Sequence, residues 1–189
     1  ISSVTLPATI ETIGKEAFAG YPLTSIDLGG TKVKTIGEGA FRKALNLTDI
    51  SFPSTLEDIG DYAFAGCVAM TEVNLSGTAL KNIGKYAFDP DGAGFSKIAK
   101  ITLPGTVETI GDWAFYNCKV LEAINLGETK VTTIGEHAFQ YCDKLTEIEV
   151  PASATDIKDL AFTMMKGLTK ITVAEENPVF SSFDGVLFK

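Results

Sequence analysis

The stretch Ile59-Gly60-Asp61-Tyr62-Ala63-Phe64 decides the fold, because its pattern of Ile-Gly followed by Ala-Phe recurs along the whole chain. We call this pattern the phrase; in its last copy Lys158 replaces the Gly. Successive phrase phenylalanines are 23, 23, 24, 27, 24 and 23 residues apart. A fixed period of this length indicates a solenoid, in which each coil is too small to bury its own apolar face and stacks on its neighbours. The phrase phenylalanines are Phe18, Phe41, Phe64, Phe88, Phe115, Phe139 and Phe162.

An apolar-polar-apolar triplet precedes each phrase, as in Val73-Asn74-Leu75, and an eighth triplet ends at Val173. Strict alternation over so few residues is typical of a short strand with one buried face. We therefore predict a right-handed repeat solenoid, with eight parallel strands at the triplets and irregular or short helical turns on the other side. The Gly of each phrase is interpreted as the residue of a tight turn with positive φ.

The period ends at residue 173, so we assign residues 1–173 to the solenoid. Residues 174–189 form a non-repeat C-terminal segment that either caps the stack or begins a following module. Within it, Asp184-Gly185 lies between apolar stretches and predicts a hairpin turn. Because the chain opens at Ile1 inside a repeat, we interpret it as part of a longer protein.

The longer pattern from Ile59 to Leu75, with Cys67 three residues after the phrase Phe, resembles the repeats of BspA-like leucine-rich repeat proteins. These are bacterial and protist cell-surface proteins, and the resemblance covers nearly the whole chain. It implies an extracellular or cell-surface location and a non-enzymatic module for adhesion to, or recognition of, a protein or glycan. The alternative is a passive spacer or presenting scaffold within a longer surface protein.

The composition limits the kinds of partner. The formal net charge of −8 argues against nucleic acid and anionic membranes as partners. No apolar run approaches the length needed for membrane insertion. With 189 residues, 45% of them hydrophobic, the chain can bury one elongated core, and we expect a monomer that binds a macromolecular ligand.

The residues that could carry chemistry do not form a known catalytic or metal-binding motif. Cys67, Cys118 and Cys142 share a slot with Ala44, Asp91 and Met165; the Ala and Met in this slot predict buried thiols, with a Cys118–Cys142 disulfide as the alternative. The segment from residue 89 to 94 has two Asp and two Gly, but Lys100 stands where a calcium loop needs Glu. We interpret this segment as a flexible inserted loop, and we predict no enzyme activity, no cofactor and no metal site.

Two surfaces are candidates for binding. One carries aromatic and imidazole rings at the same repeat position in four consecutive coils, with a further ring nearby: Tyr62, Tyr86, Trp113, His137 and Tyr116. Such a row suits a protein or a sugar chain, but the rings could instead stack on each other and cover the core. The alternative surface is the polar face of the triplets, represented by Asp27, Asn74, Asn125 and Glu149.

Overall fold

The structure is a computed structural model and describes residues 4–189. It confirms a solenoid of about seven turns with almost no helix. Two-residue strands that end in the phrase Ile form one continuous parallel sheet, in which neighbours in space follow chain order. These strands are β1 (Thr12–Ile13), β3 (Thr35–Ile36), β5 (Asp58–Ile59), β7 (Asn82–Ile83), β9 (Thr109–Ile110), β11 (Thr133–Ile134) and β13 (Asp156–Ile157).

The triplets form three separate parallel sheets instead of the single set of eight strands that we predicted, and Val4 to Leu6 is not a strand. Proline follows four of the triplets, and because it has no N–H to donate, a triplet strand that precedes it ends before the proline. The three sheets are β2 (Ser25–Asp27) with β4 (Asp49–Ser51); β6 (Glu72–Asn74), β8 (Lys100–Thr102) and β10 (Ala123–Ile124); and β12 (Glu147–Val150) with β14 (Lys170–Val173).

The phrase glycines have a different role from the one predicted, since none of those described has a positive φ. They permit close approach of adjacent coils. A Cβ atom at Gly37 would lie 2.9 Å from the carbonyl oxygen of Ile13, and one at Gly135 would lie 2.3 Å from the amide nitrogen of Asp112. By contrast, a Cβ at Gly14 in the first coil would meet nothing within 4 Å. The Gly is therefore required by the coil beneath it, not by a turn.

Positive φ occurs instead two residues before each phrase Phe, a position that we call the ring slot. The values there range from 53° at Glu16 to 61° at Trp113. In this left-handed conformation the ring-slot N–H points along the solenoid axis and donates to the next coil, as from Tyr62 to the carbonyl of Lys85 at 2.8 Å. The ring-slot residues are Glu16, Gly39, Tyr62, Tyr86, Trp113, His137 and Leu160.

The core contains a column of stacked phenylalanines that runs through all seven phrases. Centroids of successive rings lie 5.3 to 5.7 Å apart. The five inner rings, from Phe41 to Phe139, are at most 2% exposed. Only the two end members, Phe18 and Phe162, are half-buried, because each lacks a covering coil on one side.

The three cysteines are free and buried among these rings. The Sγ atoms of Cys67 and Cys142 donate to phrase Phe carbonyls of the preceding coil, at 3.1 and 3.3 Å. Burial raises the pKa of Cys67 and of Cys118 to about 12. These thiols are therefore protonated at neutral pH and serve as small core residues.

The predicted hairpin is present as β15 (Ser181–Phe183) and β16 (Val186–Phe188), an antiparallel pair. Asp184 and Gly185 between them have φ of 50° and 79°, as a two-residue turn of this kind requires. The N–H of Ile171 in β14 donates to the carbonyl of Gly185 at 3.0 Å, so the hairpin lies against the last triplet strand. Across residues 4–189 there is no helix with the length and apolarity to cross a bilayer.

Candidate functional site: the ring face

Residue types that are scarce in this chain are concentrated on the turn side of the solenoid. The sequence has one Trp, one His, one Arg and five Tyr. All of these except Tyr21 lie in or beside the ring slots and contact one another. We call this surface the ring face; it consists of Arg42, Tyr62, Tyr86, Trp113, Tyr116, His137 and Tyr141.

The ring-slot side chains form a parallel stack along the solenoid axis. Tyr62 and Tyr86 have centroids 4.9 Å apart, and Tyr86 and Trp113 are 5.6 Å apart, both with 9° between the ring planes. The imidazole of His137 continues the stack 4.0 Å from Trp113. Each ring is half-buried. The flat faces of the rings therefore cover one another, and the ring edges point to solvent.

The turn itself does not demand rings at these positions. A left-handed conformation costs a non-glycine residue about 1–2 kcal/mol, and Gly39 shows that glycine also fills the slot. An aromatic pair contributes about 0.5–1.5 kcal/mol beyond its buried area. Stacking thus approximately offsets the backbone strain, so ring packing accounts for the stability of the row but not for its exposed edges.

A second row of rings lies beside the first. Tyr116 meets Trp113 edge-on at 5.0 Å, and Tyr141 meets Tyr116 edge-on at 5.6 Å. Partial burial raises the pKa of the Tyr86 and Tyr116 hydroxyls. Among the described residues, no internal hydrogen bond engages the hydroxyl of Tyr62, Tyr86, Tyr116 or Tyr141, so these donors are available to a ligand.

Arg42 closes the N-terminal end of the stack, with its Cζ 5.2 Å from the centroid of Tyr62. Asp91 holds the guanidinium by a two-point contact, at 2.8 Å to Nε and 3.1 Å to Nη2. This pairing raises the pKa of Arg42 and lowers that of Asp91. The segment that we interpreted as a flexible loop is therefore anchored, and sequence reasoning missed Arg42, although it is the only arginine in the chain.

His137 at the other end is more buried than its variable slot indicates. Its side chain is 12% exposed, and Nε2 lies 3.3 Å from a carboxylate oxygen of Glu136. Its Nδ1 is buried and has no hydrogen-bond partner in the described part of the chain. Cys142 faces the core, where it donates to Phe115, and forms no nucleophilic pair with this imidazole.

The alternative triplet face uses its polar side chains within the protein. Asp27 accepts hydrogen bonds from the N–H of Gly29 and the hydroxyl of Ser51, which lower its pKa. Asn125 pairs with both the N–H and the carbonyl of Leu103, at 2.8 and 3.1 Å. These residues hold turns and join coils, so fewer of their polar groups are available to a ligand.

The other two residues of that face differ: the Asn74 side chain has partners within its own turn, whereas the Glu149 carboxylate has no hydrogen-bond or ion-pair partner among residues 4–189. Asn74 accepts from the N–H and the hydroxyl of Ser76 at 3.1 and 2.8 Å, and the side chain of Glu149 lies over Gly127. An open groove of about 460 Å³ lies nearby, lined by residues of three coils that include Lys100 and Glu147. Within residues 4–189, no three His, Cys, Asp or Glu side chains are grouped to hold a metal ion.

The sequence model of the BspA type leucine rich repeat region matches residues 1–91 and 78–183, with six copies of the repeat. No curated protein matches this chain significantly.

Solved structures of leucine-rich repeat proteins share the fold. A leucine rich cell surface protein from Faecalibacterium prausnitzii is 25% identical with a TM-score of 0.71, over 99% of this chain and 51% of that one. The leucine-rich repeat protein of T. pallidum is also 25% identical, with a TM-score of 0.72, over 88% of this chain and 78% of its own. The pneumococcal vaccine antigen PcpA shares the fold at 23% identity and a TM-score of 0.60, over 99% of this chain and 44% of its own. This chain thus spans about half of the Faecalibacterium protein.

Proposed function

Because the chain belongs to the BspA-type leucine-rich repeat family, we propose that it is a non-catalytic binding module of a cell-surface protein. In this proposal the ring face binds a protein partner, and the contact extends over several coils. The family and the cell-surface protein among its structural relatives support a surface or protein-interaction role in general. The choice of face rests on the geometry described above.

The observation that carries the proposal is the concentration of Arg, Trp and Tyr on one face. These are the residue types that dominate binding energy in protein interfaces, where they present rigid, partly apolar surface with a polar tip. Within the described residues, the same face has four tyrosine hydroxyls without an internal partner, whereas Asp27, Asn74 and Asn125 of the triplet face are engaged within the fold.

The stacking geometry favours a protein over a glycan. A sugar ring packs its C–H bonds against an exposed aromatic face, because the electron-rich face is the attractive part of the ring. Here the faces of Tyr86 and Trp113 are covered by their neighbours at 5.6 Å or closer. Ring edges and hydroxyls remain, and these suit side chains and backbone groups of a protein.

The test is binding to an array of extracellular matrix proteins and glycans, with wild type and variants compared on every spot. Trp113→Gly removes the central ring, and its slot accepts glycine, as Gly39 shows. We expect at least one protein ligand, with affinity about 30-fold lower for Trp113→Gly, which corresponds to the roughly 2 kcal/mol of a hot spot.

Lys130→Ala is the matched control, because Lys130 is exposed and lies outside the ring face. It should leave binding unchanged. Binding of proteins that is equal for wild type and Trp113→Gly would contradict the choice of face. Binding of glycans alone would contradict the choice of partner, and binding of nothing would favour the passive spacer.

A further inference from the structure

The insertion in the fourth coil is not explained by the stack, which needs only 23 or 24 residues for a coil, whereas 27 separate Phe88 from Phe115. The extra residues form a loop on the turn side, beside the ring face. Its internal turn is closed by a hydrogen bond from the N–H of Ala93 to the carbonyl of Pro90 at 2.8 Å. The loop therefore contains a defined turn, and its N-terminal and C-terminal parts make different contacts.

Toward the N-terminus the loop reaches across a whole coil. Asp91 pairs with Arg42 and approaches the Nζ of Lys43 at 3.7 Å, and its side chain is only 18% exposed. The coil between them offers Ala65 and Gly66, and a Cβ on Gly66 would already lie 3.2 Å from a Lys43 side-chain carbon. The third coil therefore has no long side chain at Ala65 or Gly66, and the N–H of Gly66 donates to the carbonyl of Asp89 at the start of the loop, at 2.7 Å.

Toward the C-terminus the loop presents an apolar side chain. Phe95 is 62% exposed, yet the next residue, Ser96, is 2% exposed and its hydroxyl accepts the N–H of Ile98 at 3.3 Å. Lys119 of the following coil places its Nζ 4.5 Å from the Phe95 ring centroid. The buried Ser96 on one side and the Lys119 side chain on the other therefore hold the Phe95 ring at the surface.

Lys119 places a positive charge beside Phe95. Neither Lys119 nor Lys97 of the inserted segment has a carboxylate partner among residues 4–189, whereas Lys15 and Lys43 on the turn side each have one. An unpaired cation in a chain of net charge −8 is available to an external carboxylate. The neighbouring Val120 is 37% exposed and extends the apolar surface beside it.

We propose that the inserted loop is a second contact element for the protein partner of the ring face. Phe95 contacts an apolar side chain of that partner, and Lys119 pairs with a carboxylate next to it. Asp91 is a positioning residue, which fixes the loop to the stack through Arg42. This inference rests on the proposed function and adds the chemistry of the partner segment: an apolar residue adjacent to Asp or Glu.

The probe is a random linear peptide library displayed on phage, selected against the full chain. Enriched peptides are synthesised and titrated against wild type and variants by fluorescence anisotropy. We expect enriched peptides to carry an apolar residue beside Asp or Glu. Phe95→Ala and Lys119→Ala should each weaken their binding about tenfold. Both side chains are at the surface, and circular dichroism should show an unchanged fold.

The positioning role of Asp91 has its own readout. Asp91→Ala should weaken binding about as much as Phe95→Ala, and the double variant should lose no more than either single one, because both act through the placement of one ring. Asp91→Glu keeps the carboxylate and should restore binding to within about twofold. Additive losses, or no rescue by Glu, would overturn the positioning role.

Trp113→Gly separates this inference from the proposed function. Peptides that lose affinity for Trp113→Gly but bind Phe95→Ala and Lys119→Ala like wild type would overturn the loop contact and leave the ring face standing. Peptides that are indifferent to all three variants, or a library with no enrichment, would overturn both.

Discussion

The molecule contains two ring stacks with almost the same spacing and very different settings. The inner stack of phrase phenylalanines has centroids 5.3 to 5.7 Å apart and is buried. The outer stack in the ring slots has centroids 4.0 to 5.6 Å apart, is half-buried and has a left-handed backbone. The coil spacing imposes the stacking on both, so stacking alone does not reveal what a ring is for. Burial and backbone conformation distinguish a ring that forms part of the core from one that lies on the surface.

The largest expected effect is the loss of an inner ring. Phe115→Ala should lower the free energy of unfolding by about 3–5 kcal/mol, because it leaves a cavity among rings that cannot collapse. Trp113→Ala should lower it by less, because it removes three ring pairs of about 0.5–1.5 kcal/mol each from a half-buried site that water can fill. Urea unfolding of both variants measures the difference. Phe188→Ala is the control at a position 49% exposed and should cost less than Phe115→Ala. Equal losses at Phe115 and Trp113 would erase the distinction between the stacks.

The next largest effect should come from a change in the distance between adjacent coils, which sets the ring spacing in both stacks. Gly135→Ala should destabilise the protein by about 1–3 kcal/mol, since the new methyl overlaps the backbone of the preceding coil. Gly14→Ala meets nothing within 4 Å and should be close to neutral. Thermal unfolding of the two variants gives the comparison. A stable Gly135→Ala would show that coil spacing does not depend on the phrase glycine.

A smaller effect is the difference in stability between Gly and Ala replacements, which should have opposite signs in the two stacks. At Trp113, replacement by Gly should be about 1 kcal/mol less destabilising than replacement by Ala, because Gly relieves the left-handed strain. At Phe115, whose φ is not positive, Gly should be about 0.5–1 kcal/mol worse than Ala. Denaturant unfolding of the four variants tests the pair of signs, and the same order at both positions would contradict the backbone assignment.

The smallest effect is confined to the end of the outer stack. Hydrogen bonding to Arg42 lowers the Asp91 pKa below its ordinary value of 3.8. The Arg42–Asp91 pair therefore stabilises the fold fully at pH values above 3.8, the pKa of Asp in the unfolded chain. Its contribution disappears as the pH falls through the lower pKa that Asp91 has in the folded protein. Because Arg42 is 40% exposed, the contribution should be under about 1 kcal/mol.

Asp91→Asn measures this contribution. The difference in unfolding free energy between wild type and Asp91→Asn should be present at neutral pH and should vanish in strong acid. Phe115→Ala serves as a reference, because its deficit involves no titrating group and should not follow the same titration. A wild-type advantage over Asp91→Asn that persists in strong acid would show that the ion pair is not its source.

The repeat period, the core positions and the Asp184-Gly185 hairpin follow from the sequence because each depends on local spacing or on a turn of two residues. The main sheet does not. Each of its strands has two residues, such as Thr133–Ile134, and is defined by the coil beside it, with no alternation of its own. The role of the phrase glycines is not predictable from local sequence either, because the backbone that each one contacts lies about 24 residues earlier in the chain.

The row of rings can be predicted from the sequence, but the Arg42–Asp91 pair at its N-terminal end cannot. Tyr62, Tyr86, Trp113 and His137 occupy one slot and stack as their spacing indicates. Arg42 and Asp91 are 49 residues apart, and their contact depends on how far an inserted loop bends back across an intervening coil. The contact joins an insertion to a coil two repeats earlier, and no periodic pattern encodes such a pairing.

The ring slot has one further consequence. Seven coils place six kinds of side chain there, from Gly39 and Glu16 to Trp113, at nearly the same φ. Core and surface are thus inherited separately: a coil can be duplicated or exchanged with its buried residues intact, while its single ring-slot residue changes the outer face by one row. A lineage that copies such coils can alter the chemistry of its outer face one residue at a time, while the buried positions that determine the fold stay the same.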